Sequence, residues 1–159
     1  MRATPAFQAA AYASLGASKS TQPKIKMAAV PAKGLQGAVV WCGLHDIDGQ
    51  ARECNTGYSV RKSAQRQGIA TEAANAMVGY AFQALRMRRV GLTHSAGNEA
   101  SRRIAEKLGF SFEGIQPSAN PHPGGRGADR CCYARFERTG LLHFDVHWES
   151  NLQGKVDPC

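Results

Sequence analysis

The chain has 159 residues, of which 43% are apolar and 20% charged, the make-up of one globular domain with a real core. No apolar run approaches the ~18 residues of a membrane span. The net charge of +8 points to an anionic partner (nucleic acid, a membrane surface or an anionic cofactor) without choosing among them.

Residues 1–34 are rich in Ala and Ser, carry Arg2, Lys19, Lys24, Lys26 and Lys33, and contain no acid; the first carboxylate is Asp46. Such a segment reads either as an organelle transit peptide or as a poorly ordered, weakly helical basic arm. Pro5, Pro23 and Pro31 break any long amphipathic helix, and a short Ala-rich helix is predicted over residues 7–15. Residues 36–44 have the β-branched and aromatic content of a buried strand. Asp48-Gly49 then marks a hairpin turn, so residues 51–61 form the antiparallel return strand.

Beyond it, apolar positions fall at Ala70, Ala73, Ala74, Met77, Val78, Ala81, Phe82 and Leu85, one face of a helix. Arg86, Arg88 and Arg89 follow at its negative dipole end. Residues 89–95 alternate as a short strand, so strand, helix and strand form a crossover unit with parallel strands. Asn98 is a good N-cap for a second helix with Ala100, Ile104, Ala105 and Leu108 on its apolar face, and Gly109 stops it. A strand starts at residues 110–113, residues 117–127 read as a Pro/Gly-rich loop, and residues 131–136 and 141–148 read as the last strands. The tail at 149–159 looks frayed. The fold class is α/β with a mixed sheet, in one domain over residues 35–148.

The five cysteines (Cys42, Cys54, Cys131, Cys132, Cys159) are odd in number, lack C-x-x-C spacing and have no histidine cluster. They argue against a disulfide framework or a zinc site and for a reducing, cytoplasmic setting. The Cys131-Cys132 pair reads as part of a final strand.

The stretch Gln65-Arg66-Gln67-Gly68-Ile69-Ala70 joins a strand to a helix through a glycine loop. The first-turn N–H groups have no partner inside the helix and carry the positive end of its dipole, which makes an anion site. Gly68 lets a phosphate approach the backbone, and Arg66 adds charge. Local physics alone reads this as either a phosphate cradle or an ordinary strand–helix connection.

Three stretches, Gly57-Tyr58 leading into residues 65–73, residues 88–90 ahead of residues 98–110, and Glu113-Gly114 ahead of Asp129 and Tyr133, together resemble the GNAT acetyltransferase superfamily. The resemblance is closest to the RimJ/RimL-like branch, which acetylates protein N-termini. It implies a central mixed β-sheet, splayed open and flanked by helices, with the family's N-terminal helices largely missing here. It implies acetyl-CoA as cosubstrate. The pyrophosphate would lie on the amides of Arg66, Gln67, Gly68, Ile69, Ala70 and Thr71 beside Gln65, and the pantetheine along Ser59, Val60 and Arg61. Asn98 and Ser101 would sit beside the thioester, with Ser101 as proton donor to the departing thiolate. The acceptor would be a primary amine, above all a protein N-terminal α-amine, with no need for nucleic acid or membrane; a homodimer stays open.

The sequence departs from that branch in two places. The carboxylate expected two residues ahead of Gly57-Tyr58 is Asn55, and none stands just before Gln65. Glu53 and His94 are the candidates for the proton acceptor. Some 35 residues of weak pattern also stand where the family places the helices of its acceptor groove. The alternative reading is therefore a non-catalytic GNAT-fold module that binds CoA or a partner through its basic surface.

Overall fold

The computed structural model describes residues 7–12, 25–31, 40–120, 127–136 and 140. Side chains are described from Val40 onward except at Asn120, and the strand expected over 141–148 and the tail lie outside the described residues. The described strands are β1 (Phe7–Tyr12), β2 (Ile25–Pro31), β3 (Val40–Asp48), β4 (Glu53–Val60), β5 (Arg89–Ser95), β6 (Ser111–Asn120) and β7 (Ala128–Arg135). Two helices, α1 (Ile69–Gln83) and α2 (Glu99–Lys107), link β4 to β5 and β5 to β6. The sheet runs in the order β1-β2-β3-β4-β5-β7-β6. Only β4 and β5 pair in parallel, as the strand–helix–strand pattern requires; the other neighbours are antiparallel.

The β3–β4 hairpin turns where Asp48-Gly49 predicts. The Asp48 carboxylate accepts hydrogen bonds from the backbone N–H of Gln50 (2.9 Å) and Ala51 (2.8 Å), an Asx-type closure of the turn. Val40, Cys42 and Leu44 of β3 and Cys54 and Thr56 of β4 point to the face that α1 covers. From α1 come Ile69, Ala73, Ala74, Met77, Val78, Ala81 and Phe82, most of the predicted face. The run of alanines lets the helix lie close to the sheet, so that Met77 and Phe82 reach full burial, each stabilising by roughly 1.5–3 kcal/mol. Burial pushes the Cys42 thiol up to about 12, the hydrogen bond to Thr56 opposing it only in part, and the Cys54 thiol up to about 11. Both act as small apolar side chains. Cys42, Cys54, Cys131 and Cys132 are all free. No helix among the described residues is long and apolar enough to cross a membrane.

Two expectations need correction. The short helix expected over residues 7–15 is a strand at Phe7–Tyr12, in antiparallel register with β2 from Phe7↔Pro31 to Tyr12↔Lys26. Alanine's helix preference is worth only tenths of a kcal/mol per residue, and pairing to a distant segment outweighs it. The loop expected from residue 117 begins later, because β6 continues to Asn120. Pro117 lies where the β6–β7 register shifts, between the pairs Gln116↔Arg130 and Asn120↔Ala128. β6 ends the sheet among the described residues, and at this irregularity the missing N–H of Pro117 removes no required ladder bond. Ser118 follows in left-handed backbone (φ 52°), and its N–H donates to the Asp129 carboxylate at 2.9 Å.

The consequence for function lies between β4 and β5. Their pairing spans only Glu53↔Arg89 to Thr56↔Leu92. Past that point β4 stays with β3 as far as Val60, and β5 stays with β7 as far as Ser95. The sheet therefore opens in its middle from Gly57 and Thr93 onward, which is the splay that the resemblance implies.

Candidate active site

Gly57 to Val60 keep their pairing to β3 and lose it on the β5 side, so one row of backbone N–H and C=O groups faces the opening. The chain then makes a single 3-10 turn at Lys62–Ala64, and the N–H of Ala64 donates to Arg61 O at 2.8 Å. Arg66 (φ 63°) and Gly68 (φ 82°) both take left-handed backbone before α1 starts. Glycine does so freely, whereas a residue with a Cβ pays on the order of 1–2 kcal/mol. Gly68 occupies the N-cap position and no side chain caps the helix. The first N–H taken up by the chain itself is that of Thr71, which donates to Gly68 O at 2.9 Å. The N–H groups ahead of it are available to an anion, as the glycine loop predicts.

The other wall is the start of α2. Asn98 caps it, its side-chain oxygen accepting from the Ser101 N–H at 3.1 Å. Between the two walls lies a cleft of about 610 Å³, the size of a cofactor site. Ser59, Val60, Gln65, Arg66, Gly68, Ile69, Ala70 and Thr71 line one side, and Asn98 and Ser101 the other. Ten of the residues expected at the cofactor thus surround one cavity. Arg61 and Gln67 do not line it; the Gln67 amide instead donates to Ser63 O at 3.4 Å, bracing the turn. Tyr58, Ala64, Ala100, Arg103 and Ile104 also line the cleft. The sequence pattern places Ala100 and Ile104 only on the apolar face of α2. Three residues on from Ser101 is Ile104, and four back from Ile104 is Ala100, so helical spacing carries the signal that they share its surface. Arg103 and Arg66 bring positive charge to the cavity, which suits a phosphorylated ligand.

The Tyr58 hydroxyl is buried and makes no hydrogen bond of standard geometry. Burial raises its pKa above the ordinary tyrosine value, and the Ser101 hydroxyl across the cleft opposes that effect more weakly. The hydroxyl therefore stays protonated at neutral pH, next to Ser101. Tyr58 and Ser101 thus give the cavity wall two neighbouring hydroxyls that a polar ligand can engage.

Glu53 and His94 stand elsewhere. Glu53 lies at the paired end of β4, 3.9 Å from Arg89 Nη1, while Arg89 itself is bonded more closely to Glu113 at 2.5 Å. His94 is only 8% exposed and stacks on Tyr133 at 5.3 Å between ring centroids. Its Nδ1 donates to Ser95 O at 2.9 Å, and its Nε2 is buried without a hydrogen-bond partner. Neither residue lines the cleft. Among the described residues no group of His, Cys, Asp and Glu is arranged to hold a metal ion.

Comparison with known proteins agrees with this geometry. Residues 3–111 match the family described as "Acetyltransferase (GNAT) domain", a span that includes β1 and β2. The chain is 38% identical over 76 residues to the protein named "Putative ribosomal N-acetyltransferase YdaF" of Bacillus subtilis (strain 168), covering 46% of this chain and 42% of that one. The chain spans about two fifths of the length of the curated relatives it matches. Among solved structures, Mycobacterium smegmatis RimJ in complex with CoA-disulfide superposes with a TM-score of 0.62 at 25% identity, over 70% of this chain and 52% of that one. The ribosomal-protein-S5-alanine acetyltransferase of Vibrio fischeri shares the fold, with a TM-score of 0.66 at 20% identity over 73% and 63% of the two chains. From the splayed sheet, the glycine-capped helix and a family match over most of its length, this chain belongs to the GNAT acetyltransferase family.

Proposed function

We propose that the chain transfers the acetyl group of acetyl-CoA to a primary amine, and that the amine is the α-amino terminus of a protein. The observation that carries this is the cleft in which the uncapped start of α1 faces Asn98 and Ser101 across the open sheet. The residues present suit a CoA: unclaimed N–H groups and Arg66 for phosphate, an unpaired β4 edge for an extended chain of amides, and the Tyr58 hydroxyl beside Ser101. The similar RimJ structure is a complex with CoA-disulfide, and two of the similar proteins are named for ribosomal acceptors.

Acetyl-CoA supplies an activated acyl carbon. The chain's part is to hold it in line with the amine, to give the carbonyl oxygen a backbone N–H from the open β4 edge, and to return a proton to the departing sulfur. Ser101, set by the α2 cap, is the proposed proton donor, with Tyr58 beside it. The test is release of free thiol from acetyl-CoA with a panel of N-terminal peptides and polyamines. Turnover is expected with peptides carrying a free α-amine. It should fall by about 100-fold in Ser101→Ala with CoA binding retained. CoA binding without turnover on any amine would leave the non-catalytic module as the correct reading.

A further inference from the structure

The proton acceptor is the part of the site that neither Glu53 nor His94 supplies from the cleft wall. On β3, Val40, Cys42 and Leu44 face α1, so Trp41, Gly43 and His45 face the other side of the sheet. Trp41 is 57% exposed there. A regular strand would send Asp46 back toward α1. It does not, because Asp46 adopts left-handed backbone (φ 50°) and the β3–β4 register shifts between His45 and Asp48. This is a β-bulge, a device that re-aims a side chain. The Asp46 carboxylate lies 2.7 Å from His45 Nδ1. The same carboxylate oxygen accepts from the Asn55 amide at 3.1 Å. Asn55 is held in turn, since its side-chain oxygen lies over Gly91 of β5, where any Cβ would overlap it.

The other nitrogen, His45 Nε2, stands over Gly57, 3.6 Å from where a Cβ on that residue would be. Gly57 is the first β4 residue past the last β4–β5 pair. His45 does not line the cleft on the helix side either; its ring sits at the apex of the splay, on the face opposite the helices, half-exposed at 41%. We propose that His45 Nε2 takes the proton from the attacking amine, with Asp46 and Asn55 as positioning residues. This deepens the acetyl-transfer reading above and rests on it. The carboxylate absent at position 55 is replaced by one on the neighbouring strand, working through an imidazole. Asp46 fixes the proton on Nδ1 and leaves the Nε2 lone pair free, the arrangement that makes a histidine a base.

The step balances without another reactant. The amine nitrogen forms a bond to the acetyl carbon as its N–H proton passes to His45 Nε2. The C–S bond breaks, and the thiolate takes a proton from Ser101; solvent then carries the proton from the imidazolium back to that oxygen. The choice of base also bears on the acceptor. Unperturbed α-amines titrate at about 7.7–8.0, so a sizeable share is already neutral near pH 7. A lysine-type amine at about 10.4 holds its proton more than two pKa units more tightly than an α-amine. The proposal therefore favours α-amines over lysine side chains and polyamines.

The experiment measures kcat and KM for His45→Ala, His45→Asn and Asp46→Asn with an N-terminal peptide. Alongside these, 15N NMR of the His45 ring reports its tautomer in the unmodified chain. His45→Asn keeps a donor for Asp46 and so separates loss of the base from loss of the fold. Both His45 variants are expected to lose about 10²–10⁴ in kcat with KM for acetyl-CoA unchanged. Added imidazole should restore part of the His45→Ala rate, Asp46→Asn should lower kcat and leave KM alone, and the ring should be the Nδ1–H tautomer. A His45→Asn kcat within twofold of an active parent, or an Nε2–H ring, overturns the base assignment and leaves the acetyltransferase reading standing. An unmodified chain that acetylates no amine overturns both.

Discussion

The two sides of the splay are built from different material. On the helix side the candidate cofactor site is mostly backbone: the first turn of α1, the left-handed turn at Arg66 and Gly68, and the open edge of β4. On the opposite side the proposed base is three side chains from two strands, His45, Asp46 and Asn55, brought together by one bulge. A backbone site depends on φ and on the absence of side chains, so it leaves its trace in glycine and in helix punctuation. A side-chain site depends on which way each residue faces, and one extra residue in a strand reverses that. The first kind tolerates drift in most neighbouring side chains; the second does not.

The largest effect is expected where bulk and negative charge enter the backbone site. Gly68→Glu places a Cβ at φ 82° and a carboxylate where the helix offers its positive end. With CoA at about 100 times its Kd, the parent chain gains roughly 2.7 kcal/mol, or on the order of 5–10 °C in Tm for a chain of this size. Differential scanning fluorimetry should show no CoA-dependent shift in Gly68→Glu. A shift as large as the parent's would mean that Arg66 and Arg103 hold the ligand and the backbone does not.

The same contrast decides what could be read from sequence. The β3–β4 hairpin, α1, β5 and α2 were legible because each is set locally: Asp48-Gly49 for the turn, a 3.6-residue period for the helices, Asn98 and Gly109 for the ends of α2. The glycine loop was legible for the same reason, and ten expected residues line one cleft. The strand at Phe7–Tyr12 was not, since its stability comes from pairing with Ile25–Pro31 across the intervening chain while its local composition favours helix. Nor was Pro117 inside β6, which depends on the register shift there and on β6 ending the sheet among the described residues. The His45–Asp46 contact was least legible of all. Strand alternation sends consecutive side chains to opposite faces, and only Asp46's tolerance of left-handed backbone hints that the rule is broken.

A smaller effect tests how far the cleft's second wall depends on a single cap. Asn98→Ala removes the acceptor for the Ser101 N–H and frees the first turn of α2. The expected cost is about 1 kcal/mol, or roughly 2–4 °C in Tm. Because the residue released is Ser101 itself, kcat should fall by more than the stability change alone implies, while the CoA-induced shift is largely kept. Equal losses in kcat and in CoA affinity would show that the two walls act as one unit.

The smallest effect concerns Glu72, the one acidic residue in the first turn of α1. Two influences oppose each other there. The helix dipole favours a carboxylate at this end by about 0.3–1 kcal/mol. Burial disfavours it and raises its pKa above the ordinary glutamate value, with Lys107 lowering it by less. Between burial and Lys107, burial is the larger influence and the direction is upward. An acid whose pKa is higher in the folded state binds its proton more tightly when folded. Its favourable contribution is present below the unfolded pKa and is lost as pH rises through the folded pKa. At neutral pH the ionised Glu72 is thus a net cost, and it stands 4.0 Å from where a Cβ on Gly68 would point, close to the proposed phosphate cradle. Glu72→Gln should raise Tm slightly at pH 7, with the gain vanishing below the carboxylate range where the parent is already neutral. It should also tighten CoA binding by about two- to fivefold at low salt, less at high salt. A lower Tm at pH 7 would show that the dipole and Lys107 outweigh burial. The backbone site would then depend on a side-chain charge after all, as the opposite face does.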